Sequence, residues 1–158
     1  VVIIGAGGKS GMLCCYEAKK RAGVTGKVIG ICHSEKSTKR MLDLGFCDEV
    51  FAADATQPVP VMKKIEEMTN GQMADICINN VNIPDTEMTS ILVTKNTGIV
   101  YFFSMATSFT KAALGAEGVG SDVTMLIGNG YTKGHAEITL QELRECEKLR
   151  KIFTELYA

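Results

Sequence analysis

The first residues of the chain that could do chemistry form a glycine-rich turn, GAGGKSG, at positions 5–11. The apolar run VVII precedes the turn, and a helix is predicted to follow it over residues 9–22. Glycines allow a tight turn and a close approach of the backbone to a ligand. The unpaired N–H groups and the dipole at a helix start favour a bound phosphate. Between a strand and a helix, this pattern is typical of a site for the pyrophosphate of a dinucleotide.

The turn departs mildly from the spacing G-x-G-x-x-G. Its first two glycines are Gly5 and Gly7, its third position falls on Ser10, and Gly11 follows one place later. Serine is small enough for a helix to pack closely, and three clustered glycines disfavour a connection that binds nothing. From this turn, the predicted cofactor contacts are Gly5, Gly7, Gly8, Lys9, Ser10 and Gly11.

Two competing motifs are disfavoured by the positions of their residues in the chain. A Walker A loop needs a glycine five places before the Gly-Lys pair, and Ile3 stands there, inside the predicted strand. Tyr16 and Lys20 have the spacing of the short-chain dehydrogenase catalytic pair, but they lie on the first helix, far from where that chemistry occurs.

A second group of polar residues follows the second predicted strand. Folds that bind NAD usually place an acidic residue there, against the ribose 2′-hydroxyl, whereas this chain has Cys32. Because Lys39 and Arg40 follow closely, the residues favour a 2′-phosphate and therefore NADP; the alternative is that these cations are a solvated helix face. The predicted contacts on this side are His33, Ser34 and Lys36.

Further candidates follow the fourth, fifth and sixth predicted strands. Strand ends in such folds face the nicotinamide, so we predict contacts from Asn80, Val81 and Ser104, with Thr107 as a further candidate in a glycine-containing loop over 104–120. The alternative is an ordinary crossover loop, but the length and glycine content of the segment favour a functional role. Candidates on the substrate side are Asn129, Tyr131, Lys133 and His135, although a lone histidine is more often a surface residue.

Two carboxylates follow the fourth strand. Asp85 and Glu87 could receive a cationic substrate, but first-turn acids that complement a helix dipole are the preferred interpretation.

The elements that must position these residues alternate along the chain. Apolar runs over 1–4, 27–32, 48–52, 74–78, 97–103 and 123–127 predict six strands, and helices are predicted over 9–22, 35–44, 58–69, 84–93 and 139–156. Strands that are apolar on both faces and separated by helices indicate a parallel sheet with helices on both sides. We therefore predict one domain over 1–158, an α/β, three-layer doubly wound Rossmann fold of about six parallel strands.

Composition excludes several function classes. The 158 residues carry a net charge of −1, which argues against a nucleic-acid partner, and no apolar run reaches the ~18–20 residues of a membrane span. The six cysteines form no C-x-x-C pair and the two histidines lack ligand-spaced partners, so we predict no metal site. A reducing, cytoplasmic location is expected.

The stretch KRMLDLGFCDEV, residues 39–50, resembles the signature K-x-x-x-A-x-x-L-G-A-D-x-V of the medium-chain dehydrogenases. The runs GKSGMLC, ADICINNVN, YFFSMATSFTKAALGAEGVG and GNGYTKGHAEI resemble, more narrowly, the branch that oxidatively deaminates L-erythro-3,5-diaminohexanoate in lysine fermentation. This resemblance implies NAD as hydride acceptor, against the NADP that the residues favour, together with ammonia release and formation of 5-amino-3-oxohexanoate.

The resemblance also implies a missing partner domain. The chain begins inside its first predicted strand, so we expect it to be the cofactor domain of a larger two-domain enzyme. Most catalytic groups of that architecture lie in the substrate-binding domain, and we assign no catalytic residue here. A homodimer paired through residues 123–127 is expected. The alternatives are the cofactor domain of another medium-chain alcohol or quinone reductase, and a non-catalytic module that senses NAD(H).

Overall fold

Strands and helices alternate along almost the whole chain in the structure, a computed structural model that describes residues 1–128 and 131–158. The strands are β1 (Val2–Ile4), β2 (Ile29–Cys32), β3 (Glu49–Ala52), β4 (Ala74–Asn79), β5 (Thr94–Phe102) and β6 (Thr124–Ile127). The helices are α1 (Lys9–Ala22), α2 (Glu35–Leu44), α3 (Pro58–Met68), α4 (Glu87–Leu92), α5 (Phe109–Gly118), α6 (His135–Glu145) and α7 (Glu147–Tyr157).

The six strands form one parallel sheet in the order β3-β2-β1-β4-β5-β6. Ile3, in the middle of β1, pairs with Gly30 on one side and Ile78 on the other. The strand order reverses between β1 and β4, and a ligand crevice opens at such a switch point beyond the carboxyl ends of the strands. The predicted doubly wound fold is confirmed.

Each face of the sheet has its own apolar core, which is why the strands read as continuous apolar runs. Val2 and Ile4 point into the core under α3, α4 and α5, together with Ile65 and Ile91. Ile3 points the opposite way, into the core shared by α1, α2 and α7. Within the described parts of the chain, no helix is long and apolar enough to cross a membrane.

The prediction of a single helix over 139–156 is wrong, because the structure has two helices there, α6 and α7. Cys146 adopts an extended backbone, with φ of −114° and ψ of 103°, and separates α6 from α7. Arg150 Nη1 donates to the carbonyl oxygens of Leu143 and Arg144 at 3.0 and 3.2 Å. The Arg150 side chain therefore satisfies the last carbonyls of α6, so the break costs few hydrogen bonds.

Two other predicted boundaries are corrected. The helix predicted over 84–93 begins only at Glu87, because Asp85 has a left-handed backbone with φ of 67°. The glycine-containing segment predicted as a loop over 104–120 contains the helix α5. This helix packs against α4 and contributes the buried residues Ala112 and Ala116 to the core.

Candidate functional site

The glycine turn is held at the carboxyl end of β1 by hydrogen bonds to the neighbouring strand. The N–H groups of Gly5 and Ala6 both donate to the carbonyl oxygen of Ile31, at 2.9 and 3.0 Å. Gly5 has a φ of 81°, a left-handed conformation that glycine adopts without strain. The turn over residues 5–8 thus leads from β1 into α1, which begins beside the switch-point crevice.

Gly11 permits the closest backbone contact in the turn. A Cβ atom on this residue would lie 2.0 Å from the Gly5 carbonyl oxygen and 2.8 Å from the Ala6 Cα. The close packing of the helix against the strand thus depends on Gly11, one residue after the third motif position, which Ser10 occupies.

Gly7 allows the second helix to approach the turn. A Cβ atom there would lie 2.7 Å from the Ser37 Cβ, and the Gly7 N–H also hydrogen-bonds the buried Cys32 thiol, whose pKa is raised chiefly by burial. The absence of a side chain at this position is thus needed for packing against α2.

The start of α1 has free hydrogen-bonding capacity. Gly8 is the N-cap residue, and no side chain in the described part of the chain caps this helix. The first-turn N–H groups lack intrahelical partners, so they are available to an anion such as a pyrophosphate. Lys9 and Ser10 lie in this first turn, and the Lys9 Nζ sits 4.3 Å from the centre of the Tyr157 ring of α7.

The three predicted contacts after β2 are exposed beside the turn. His33 and Lys36 present their side chains to solvent. Ser34 is instead the N-cap of α2, where its hydroxyl accepts the Ser37 N–H at 3.3 Å within a capping box. Arg40, interpreted from sequence as a cation for a 2′-phosphate or as part of a solvated helix face, donates from Nη1 to the Gly7 carbonyl oxygen at 3.2 Å. No local pattern predicted that contact.

The residues after β4 divide into a structural part and a site-facing part. The buried Asn79 amide donates to Thr86 Oγ1 and Ser90 Oγ at 2.8 and 2.9 Å, and so anchors α4. Val81 Cγ1 lies 3.3 Å from where a Gly5 Cβ would stand. The structure thereby brings the predicted contacts Val81 and Asn80 together with the glycine turn.

Asn80 carries an unsatisfied buried donor at this crevice. Its Oδ1 accepts a hydrogen bond from Cys14 Sγ at 3.8 Å, and burial raises the pKa of that thiol to about 11. Its Nδ2 is buried without a hydrogen-bond partner in residues 1–128 and 131–158. An unpaired buried amide is costly, so a polar ligand atom at the crevice would stabilise it.

Hydrogen bonds and an ion pair join the segments that follow β4 and β5. Ser104 Oγ donates to Asn82 Oδ1 at 3.2 Å, and the buried Glu87 carboxylate accepts the Ser108 N–H at 2.6 Å. Asp85 forms an ion pair with Lys111. Asp85 precedes the helix, so its interpretation as a first-turn acid is wrong; Glu87 is in the first turn, where it also anchors the next loop.

The substrate-side candidates after β6 receive less support. Asn129 lies outside the described residues. Tyr131, Lys133 and His135 are exposed, and the Tyr131 and His135 rings meet edge to face with centroids 5.2 Å apart.

Comparisons with known proteins place the chain among dehydrogenases. It is 61% identical over 157 residues to the L-erythro-3,5-diaminohexanoate dehydrogenase of Acetoanaerobium sticklandii, and 54% identical to that of Fusobacterium nucleatum. Both alignments cover 99% of this chain and 46% of the relative, so the chain spans about half the length of these curated relatives.

Solved structures share the fold at low sequence identity. An alcohol dehydrogenase from Thermus sp. ATN1 superposes with a TM-score of 0.67 and 22% identity, over 94% of this chain and 42% of that one. A mycobacterial quinone oxidoreductase superposes with a TM-score of 0.65 and 15% identity, over 98% of this chain and 45% of that one.

The model of a protein family described as zinc-binding dehydrogenase matches residues 11–131 of the chain. The residues that the structure describes hold no group of three histidine, cysteine, aspartate or glutamate side chains that could bind a metal ion. These residues therefore do not fit a zinc site. With the match over most of its length and the same fold as solved dehydrogenases, the chain belongs to the zinc-binding dehydrogenase family.

Proposed function

We propose that this chain is the nicotinamide-dinucleotide-binding part of an oxidoreductase that deaminates L-erythro-3,5-diaminohexanoate. The observation that carries the proposal is the uncapped start of α1 at the switch point of the sheet, in a chain 61% identical to a dehydrogenase named for that substrate. The glycine turn supports the phosphate site. The names of the relatives support the choice of substrate.

The residues around the crevice fit a dinucleotide. The turn would hold the pyrophosphate on the first-turn N–H groups of α1, which no described side chain caps. The unsatisfied Asn80 Nδ2 offers a donor beside it. In this arrangement the pyrophosphate contacts are Gly5, Gly7, Gly8, Lys9, Ser10 and Gly11, the adenosine-ribose contacts are His33, Ser34 and Lys36, and the nicotinamide-side contacts are Asn80, Val81 and Ser104.

NAD is the cofactor that we propose. The support for NAD is the resemblance described above, which implies NAD as the hydride acceptor. The Ser34 hydroxyl caps α2 by accepting the Ser37 N–H, so its O–H can still donate to an oxygen of the ribose. Relatives at 61% and 54% identity are dehydrogenases, which supports a nicotinamide cofactor of either kind.

When bound, the nicotinamide would accept a hydride from the carbon that bears the 3-amino group, and hydrolysis of the resulting imine would release ammonia and 5-amino-3-oxohexanoate. The role of this chain is to position the reacting partners. The Ser104–Asn82 and Glu87–Ser108 hydrogen bonds hold the two loops beside the crevice, which fixes its nicotinamide side. The base that takes the amine proton is not assigned to any residue of this chain.

We propose further that this domain works within a larger homodimeric enzyme in the cytoplasm. The relatives are about twice as long, which supports a second, substrate-binding domain. The six cysteines are free thiols, which suits a reducing compartment. The exposed apolar edge strand β6 supports pairing with a second copy.

The test is an assay of the full-length protein for NAD reduction with L-erythro-3,5-diaminohexanoate. We expect reduction of NAD and release of ammonia in equal amounts, because each deamination transfers one hydride. A diamino acid that carries its amino groups at other carbons is the control, and it should react far more slowly.

Three other outcomes would contradict the proposal. Turnover of simple alcohols or quinones without the diamino acid would indicate a different medium-chain reductase. Binding of NAD(H) with no turnover of any of these compounds would indicate a sensing module. Failure to bind a nicotinamide cofactor would remove the premise itself.

A further inference from the structure

A groove between α2 and α7 is lined by more cationic side chains than the cofactor contacts proposed above require. It encloses about 490 Å³. Its lining includes the cations Lys36, Lys39, Arg40, Lys148 and Lys151 and only two carboxylates, Asp43 and Glu155.

The cations of the groove are not neutralised within the protein. Across residues 1–128 and 131–158, none of the five lies within 4.0 Å of a carboxylate oxygen. Lysines elsewhere in the chain, such as Lys27 and Lys95, do form ion pairs. Five cations against two carboxylates leave the groove with a local charge of about +3 in a chain of net charge −1. Such a concentration of one sign attracts counter-ions.

The groove is held in place relative to the glycine turn. Leu149 is fully buried and packs α7 into the core that contains Leu44, so the two walls share one apolar base. Arg40 bonds the Gly7 carbonyl oxygen, and Tyr157 at the end of α7 lies under the Lys9 ammonium. Both walls therefore contact the glycine turn, and Lys36, at one end of the groove, lies in the first turn of α2.

We propose that this groove binds the dianion of a phosphate monoester. A phosphate monoester carries close to two negative charges at neutral pH and three acceptor oxygens, so it can bind several ammonium groups from two helices at once. A carboxylate has one charge and two oxygens and would neutralise less of the groove. The phosphate could be the 2′-phosphate of a dinucleotide bound at the turn, or it could belong to a separate small phosphorylated molecule.

The test uses the full-length protein and calorimetric titration with inorganic phosphate, NAD and NADP. The double variant K148A/K151A removes two cations from α7, whose residues take no part in the proposed cofactor contacts. The control K63A removes an exposed lysine from α3 that has no ion pair in the described structure. Thermal melts of both variants establish that they fold.

We expect phosphate to bind the unmodified protein, to bind K148A/K151A roughly tenfold more weakly and to bind K63A unchanged. If K148A/K151A also binds NADP more weakly but binds NAD unchanged, the bound group is the 2′-phosphate, and NADP would replace NAD as the proposed cofactor. If the affinities for NAD and NADP are both unchanged, the ligand is a separate phosphorylated molecule. Equal phosphate affinity in all three proteins, or no measurable phosphate binding, would overturn the proposal, while NAD binding would still report on the proposed function.

Discussion

Gly11 has no room for a side chain, although the third position of the glycine pattern falls one residue earlier, on Ser10. The carbonyl oxygen of Gly5 occupies the space that a Gly11 Cβ would need. That oxygen also accepts the Gly8 N–H at 3.0 Å, so it cannot move without disturbing the turn. Turn geometry and helix packing therefore depend on the same pair of residues.

Gly11→Ala should destabilise the protein by about 1–3 kcal/mol, because the new methyl group must displace backbone atoms rather than a flexible side chain. It should also weaken NAD binding, since the displaced atoms form the proposed pyrophosphate site. Urea denaturation and calorimetric titration measure the two effects.

Gly118→Ala is the matched control for this variant. Nothing lies within 4 Å of its Cβ position at the end of α5, so stability should stay the same or rise by up to about 1 kcal/mol. Equal stabilities of the two variants would show that the close contact at Gly11 does not constrain the turn.

At the residue scale, the proximity of the candidate residues was predictable where the signal was local, while their contacts with a cofactor stay a prediction. The turn residues, and the contacts Asn80 and Val81 after a strand end, follow from motif spacing and fold rules, and the structure brings them together. Arg40 was interpreted as a cation for a 2′-phosphate or, alternatively, as part of a solvated helix face, and its contact with the Gly7 carbonyl, 33 positions away, was not predicted. Side-chain contacts of that kind depend on tertiary packing, which no pattern in a single sequence encodes.

At the level of elements, α7 is the helix whose position links the basic groove to the core. Its only fully buried residue, Leu149, packs among Met41, Leu44 and Phe46. The other end of α7 is fixed by the contact between Tyr157 and Lys9. The helix is therefore anchored at both ends.

Leu149→Ala should lower the free energy of unfolding by about 2–5 kcal/mol, the usual cost of a cavity at a fully buried leucine. The control is Leu156→Ala in the same helix, where the side chain is 41% exposed and the cost should be well under half as large. Denaturant unfolding of both variants measures the difference. A small effect at Leu149 would mean that α7 is not packed on the domain as described.

The elements that sequence patterns missed share a physical cause. Glycines within 104–120 suggested a loop, but α5 forms there and buries Ala112 and Ala116 in the core. The amphipathic pattern over 139–156 suggested one helix, but it is interrupted at Cys146, where the Arg150 side chain substitutes for backbone partners. In both places a tertiary contact overrides local propensity.

On the scale of the whole molecule, the two edges of the sheet differ in their protection. Beside the β3 edge, Lys27 and Glu49 form an ion pair, which makes pairing with another sheet unfavourable. The opposite edge, β6, has the sequence TMLI, with no charged residue and with Leu126 and Ile127 exposed. An uncharged apolar edge usually needs a cover, and a second β6 would provide it.

We therefore expect the full-length protein to be a dimer by light scattering and Leu126→Lys to be a monomer, because the charge would be buried at the paired edges. Leu140→Lys is the control, since Leu140 on α6 is as exposed, at 49%, as Leu126, at 47%. This control should remain dimeric and bind NAD normally. Monomeric unmodified protein would exclude pairing through β6, whereas a dimer that survives Leu126→Lys would place the interface on another surface.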